Sequence, residues 1–123
     1  FLGQRSDVRR LMAAADIFCQ PNAGPEPFGI VFIEALHAKL PVVTSNFGGG
    51  AEIIDKSCGI LTPPGDDQKL ASALTCLISN ESTRRDYGLQ GPNRAFTLCD
   101  PVRQLNDLRQ ALEELKSHFT SLK

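Results

Sequence analysis

Residues 17–44 read "IFCQPNAGPEPFGIVFIEALHAKLPVVT", Ile17 to Thr44. Each end is a short apolar run bounded by a proline, which reads as a strand at Ile17–Gln20 and another at Pro41–Thr44. Between them lies "NAGPEP", a loop with two prolines and a glycine, and then an apolar stretch that reads as a helix from about Gly29 to Ala38. A strand, a crossover helix and a second strand place the two strands parallel in one sheet.

The same alternation continues outward. Upstream, Phe1-Leu2 reads as a strand end, and Asp7 as the cap of a helix to about Ala15 with Val8, Leu11, Met12 and Ala15 at helical spacing. Downstream, "SNFGGG" is a flexible loop, Ala51–Asp55 a short helix, and Gly59–Thr62 a fourth strand stopped by Pro63-Pro64-Gly65. Asp66 or Asp67 caps a helix through about Ser79. Glu81 starts another, which Gly91-Pro92 breaks or kinks before Ala95. Asp100-Pro101 opens the last, Val102 to about Lys116. The expected fold is α/β: a Rossmann-like parallel sheet with flanking helices. Residues 1–79 form the sheet-bearing segment, and 80–123 a helical tail of the same domain that packs over the sheet or reaches toward a neighbour.

Composition narrows the function classes. The chain has 123 residues, 41% hydrophobic and 22% charged, an ordinary globular balance for one domain. A net charge of −1 gives no electrostatic reason to bind nucleic acid. No apolar run approaches the roughly 20 residues that span a bilayer, so no transmembrane segment is expected. The four cysteines are scattered without a C-x-x-C pair, and His37 and His118 lack ligand spacing, which argues against a metal site or a disulfide framework and for a cytoplasmic protein. The abrupt opening "FLGQRSD" suggests a piece of a longer protein.

Chemistry concentrates in Pro25 to Leu36. Gly24 and Glu26 each precede a proline and are held toward extended dihedrals, so the loop carrying Glu26 is stiff. The amides of Gly29, Ile30 and Val31 fall in the first helical turn without intrahelical acceptors, and the helix dipole adds about 0.3–1 kcal/mol for an anion there. Glu34 has Ile30, Val31, His37 and Ala38 at helical spacing and no basic ion-pair partner. If that apolar helix is buried, a bare carboxylate there is costly unless hydrogen-bonded. A vicinal diol is a two-pronged partner for it, about 7.5 Å along the helix from Gly29. Spacing alone leaves open a solvated loop carboxylate at Glu26 and an exposed one at Glu34. The glycines of "FGGGAE" fit a phosphate loop or a simple turn.

Taken in order, the "FLG" strand end, the "AAAD" helix end, Glu26 and Glu34 as E-x7-E, "PVV", the "GG…E" loop and "GILTPPGD" resemble the later part of the C-terminal, nucleotide-sugar-binding domain of the family 4 retaining glycosyltransferases, which have the GT-B fold. The resemblance runs from Phe1 to about Leu74. It implies a sugar transferred from a nucleotide-sugar donor with retained anomeric configuration. Glu26 would be the catalytic residue beside the donor sugar, Phe28, Gly29, Ile30 and Val31 would bind sugar hydroxyls and diphosphate, and Glu34 the ribose. No metal or other cofactor is implied. The acceptor stays unknown, and an N-terminal domain is expected as the partner that chooses it. A cytoplasmic place, peripheral to a membrane in a longer protein, and a role in polysaccharide biosynthesis go with the family.

The sequence also departs from that pattern. The family's basic pair that grips the diphosphate lies upstream of "FLG" and is not in this sequence, so the isolated chain is expected to be inactive. Asn22-Ala23-Gly24 replaces a serine-rich approach, His37 and Lys39 stand where small residues are usual, and Ala51 stands where proline is common. A non-catalytic binding module and a sugar-nucleotide epimerase or hydrolase of the same fold remain the alternatives.

Overall fold

A computed structural model describes residues 2–24 and 26–121. In chain order the elements are α1 (Val8–Ala14), β1 (Phe18–Gln20), α2 (Ile30–His37), β2 (Val42–Ser45), α3 (Gly49–Ile53), β3 (Gly59–Thr62), α4 (Asp67–Ser79), α5 (Glu81–Cys99) and α6 (Pro101–Ser121). The three strands form one parallel sheet in the order β1-β2-β3, with Phe18 opposite Val42 and Val42 opposite Gly59. The α/β architecture with flanking helices is as the sequence predicts.

β2 is buried along its whole length because helices cover both faces of the sheet. Successive side chains alternate between the two layers. Val42 joins Phe32, Leu36, Ile54, Cys58 and Ala95 under α2, α3 and α5, while Val43 packs with Ala73 and Leu77 of α4. Phe18 meets Phe32 edge to face at 6.0 Å and 88°, fixing α2 over β1.

Several boundaries differ from expectation, each for a physical reason. Phe1 lies outside the described residues, and Leu2 is exposed and not in a strand. β2 begins at Val42 because Pro41 has no N–H to give the ladder, although its carbonyl accepts from Phe18 N at 3.0 Å. Asp7 is the N-cap residue of α1 but makes no side-chain cap, since Arg5 takes both carboxylate oxygens at 2.7 and 2.6 Å. Asp66 caps α4 as predicted, accepting from Lys69 N at 2.8 Å.

Gly91-Pro92 does not break the chain: α5 runs through it from Glu81 to Cys99. The tertiary contact outweighs the lost backbone bond. A Cβ at Gly88 would stand 2.4 Å from the Lys39 carbonyl oxygen, and one at Gly91 2.7 Å from that of Leu36, so α5 lies directly on the end of α2. The last helix extends past Lys116 to Ser121. It does not cover the sheet, for Val102, Leu105, Leu108, Leu112 and Leu115 are all more than half exposed. Among the described residues no helix is long and apolar enough to cross a membrane.

Candidate functional site

Parallel strands bring all their carboxyl ends to one edge, and the loops that follow β1 and β2 meet there. β1 ends at Gln20, whose carbonyl accepts from Thr44 Oγ1 of β2 at 2.9 Å. Its side-chain Nε2 donates to Asn22 Oδ1 at 3.1 Å and, at the long limit of 3.5 Å, to Glu26 Oε2. Glu26 is half-buried, and its carbonyl accepts from Gly49 N at 2.8 Å. The start of α3 is thereby fastened to the loop that carries the candidate catalytic carboxylate.

Gly29 is the N-cap of α2 rather than part of its first turn, with φ of 82° and ψ of 48°. A Cβ there would stand 2.5 Å from the Phe32 ring and 3.3 Å from Glu26 Cγ. The Glu26 side chain therefore lies against the helix start, and only glycine leaves room for it. Gly29 O accepts from Phe32 N at 2.9 Å. The amides of Ile30 and Val31 bond to no described residue. Phe28 and Ile30 are 61% and 64% exposed, so this helix start faces solvent.

Glu34 sits on the same helix, exposed; its carbonyl accepts from Ala38 N at 3.0 Å, and its carboxylate bonds to no described residue. The argument from a buried charge does not apply to it, because the apolar surface of α2 is one-sided: Phe32, Ala35 and Leu36 face the core. An exposed carboxylate has no desolvation cost to offset and is available to a ligand.

The glycines at 48–50 serve packing more than flexibility. Gly48 has φ of 62°, a Cβ at Gly49 would stand 2.2 Å from the Phe28 carbonyl oxygen, and one at Gly50 3.2 Å from the Phe32 ring. The short helix consequently starts at Gly49 instead of Ala51 and brings its backbone onto the Glu26 loop. The far end of α3 is held by Arg94, which donates to the carbonyls of Ile53 and Glu52 at 2.8 Å each and pairs with Asp55 at 3.3 Å.

Sequence reasoning missed Gln20, Thr44 and Arg94 as parts of this region, and read Gly49 only as one glycine of a phosphate loop or a turn. Asn22 was noticed only as an unusual residue. Its Nδ2 is buried and unpartnered among the described residues, and it helps line a cavity of about 170 Å³ with Ser45, Thr62 and Leu70. Among the described residues no three His, Cys, Asp or Glu side chains are grouped to hold a metal ion.

Comparison with known proteins gives the arrangement its context. Residues 1–94 match the family described as "Glycosyl transferases group 1". The phosphatidyl-myo-inositol mannosyltransferase of Mycobacterium leprae is 42% identical over 94 residues, covering 74% of this chain and 25% of that protein. The lipopolysaccharide glucosyltransferase WaaG of Escherichia coli K12 is 38% identical over 99 residues, 79% of this chain and 26% of its own length. The chain thus spans about a quarter of the curated relatives it matches. Among solved structures, Anabaena Alr3699/HepE in complex with UDP superposes with a TM-score of 0.83 at 32% identity, over 93% of this chain and 32% of that one. The same protein with UDP-glucose gives 0.80.

Proposed function

From the premise that this chain belongs to the group 1 glycosyl transferases, of GT-B fold, we propose that it is the donor-binding part of a family 4 retaining enzyme. The enzyme moves a sugar from a nucleoside diphosphate to an acceptor hydroxyl. The bond from the sugar's anomeric carbon to the diphosphate oxygen breaks, a bond to the acceptor oxygen forms with the same anomeric configuration, and the acceptor's proton leaves with the diphosphate or solvent.

Each named group has a role in that reaction. Glu26, against the start of α2, binds the donor sugar's hydroxyls beside the reacting carbon. The amides of Ile30 and Val31 face the diphosphate together with the backbone at Phe28 and Gly29, and the positive end of α2 stabilises the charge that grows there as the bond breaks. Glu34, one and a half turns on, accepts both hydroxyls of the ribose. The reaction needs no bound metal in this account. Basic residues that complete the diphosphate grip, and the domain that selects the acceptor, belong to the larger enzyme, which works in the cytoplasm or at a membrane face.

The observation that carries the reading is the open start of α2, with two amides that bond to no described residue behind a left-handed glycine and a carboxylate lying beside them. Complexes of the Anabaena relative with UDP and with UDP-glucose support it. The test is product analysis with the whole enzyme, supplied with UDP-glucose or GDP-mannose and a lipid extract of the cells that make it. Release of UDP or GDP coupled to a product with the donor's anomeric configuration, undiminished by a chelator, is expected. Free sugar or an epimerised nucleotide sugar as the sole product would refute transfer.

A further inference from the structure

We propose that Arg94 is a positioning residue for the donor site, acting through α3; this rests on the donor-binding reading above. α3 has five residues, too few to hold helical shape without tertiary support. Its two ends are fastened by different parts of the chain. At the start, Gly49 N donates to the Glu26 carbonyl at 2.8 Å. At the other end, the Arg94 guanidinium, on α5 and 24% exposed, donates from Nε to Ile53 O and from a terminal nitrogen to Glu52 O.

Those carbonyls carry the negative end of α3, and a guanidinium is suited to bridge two of them in one plane. Asp55, 3.3 Å from Arg94, holds the guanidinium in place and itself accepts from Ser57 N at 2.8 Å. In so short a helix, a shift at one end reaches the other. Where Arg94 holds Glu52 and Ile53 therefore sets where Gly49 meets Glu26. The clearance is small, since the backbone at Gly49 already touches Phe28.

The fold supplies its own control. Arg84, on the same helix α5, uses the same chemistry on the end of α4, donating to the carbonyls of Leu77 and Ile78 at 2.7 and 2.9 Å. Those carbonyls lie at the far end of α4 from its cap at Asp66, which follows the carboxyl end of β3. Loss of Arg84 removes a comparable clamp without touching α3.

The experiment compares Arg94→Met, Arg94→Lys and Arg84→Met in the intact protein by amide hydrogen exchange and by titration with UDP and GDP. Arg94→Met is expected to speed exchange of the Gly49 amide by about tenfold or more through local opening, while the Val42 amide, bonded to Cys58 O at 3.2 Å in the core, is unchanged. Affinity for the nucleotide that the unaltered protein binds falls by about tenfold in the same variant. Arg94→Lys, which keeps the charge but serves one carbonyl at a time, falls between, and it carries the test if Arg94→Met does not fold. Arg84→Met leaves Gly49 exchange and nucleotide affinity as they were.

Parallel acceleration at Gly49 and Val42 would make Arg94 a staple of the whole fold and overturn the inference. So would unchanged exchange, or faster exchange at Gly49 with nucleotide affinity intact. Failure of the unaltered protein to bind UDP or GDP strikes the donor reading instead, and is distinguishable because the exchange comparison needs no nucleotide.

Discussion

The amide of Gly49 donates to the carbonyl of Glu26 at 2.8 Å, joining the start of α3 to a loop residue 23 positions earlier in the chain. Gly49→Ala tests that junction. A methyl group 2.2 Å from Phe28 O forces the start of α3 away from that loop, so a stability loss of about 1–3 kcal/mol is expected in urea unfolding. Affinity for UDP or GDP should fall with it. An alanine variant as stable as the parent would mean that the approach is looser than the structure has it.

Gly29 and Gly65 separate backbone strain from packing. Both have positive φ, 82° and 75°, but a Cβ at Gly65 meets nothing within 4 Å, whereas one at Gly29 meets the Phe32 ring at 2.5 Å. Gly65→Ala should cost about 1–2 kcal/mol from the left-handed backbone alone. Gly29→Ala should cost about 1–3 kcal/mol more, because the overpacked ring is added. Thermal unfolding of the two variants gives the difference directly.

The contact of α5 with α2 predicts opposite signs for two neighbouring substitutions. Gly88→Ala improves helix propensity by about 1 kcal/mol. It nevertheless should lower stability by about 1–3 kcal/mol, because the new methyl lies 2.4 Å from Lys39 O. Pro92→Ala restores a backbone donor within a continuous helix and should raise stability by about 1–3 kcal/mol. Denaturant midpoints of both variants check the pair.

Asp55 gives the fold a dependence on acid. A hydrogen bond from the Ser57 hydroxyl, and in smaller part the Arg94 charge, hold its carboxyl below the usual carboxylate range. A depressed folded value means that the ionised group stabilises the fold fully above the unfolded value of about 3.9, and that this contribution disappears as pH falls through the lower folded value. Its side chain is 45% exposed, so solvent weakens the effect. Asp55→Asn should flatten the fall in stability below about pH 4 in urea titrations at successive pH values. An unchanged slope would show that other carboxylates govern it.

Much of the sheet was legible because its signals are local. Ile17–Thr44 carries a strand, a loop, a helix and a strand in sequence, and each boundary is marked by proline or glycine. Glu26 and Glu34 stood out as candidates for the same reason, as carboxylates at fixed spacing around a helix start. The burial of Glu34 was not legible, because a short apolar run does not say which side faces the core, and α2 buries only Phe32, Ala35 and Leu36. Gln20 near Glu26 and the grip of Arg94, on α5, upon α3 depend on tertiary contacts, the second across about forty positions, with no periodicity to mark them. Pro92 misled for a related reason: a local helix breaker was overruled by the glycine contacts with α2.

Glu34 offers the most direct test of the donor account. Its side chain is exposed and bonds to no described residue, so Glu34→Ala should leave thermal stability unchanged. Calorimetric titration of the whole enzyme with UDP and GDP should then show the preferred nucleotide bound more than about tenfold weaker, as expected when a charged hydrogen-bond partner of the ribose is lost. The same affinity in Glu34→Ala as in the parent would contradict the ribose contact and the nucleotide layout built on α2.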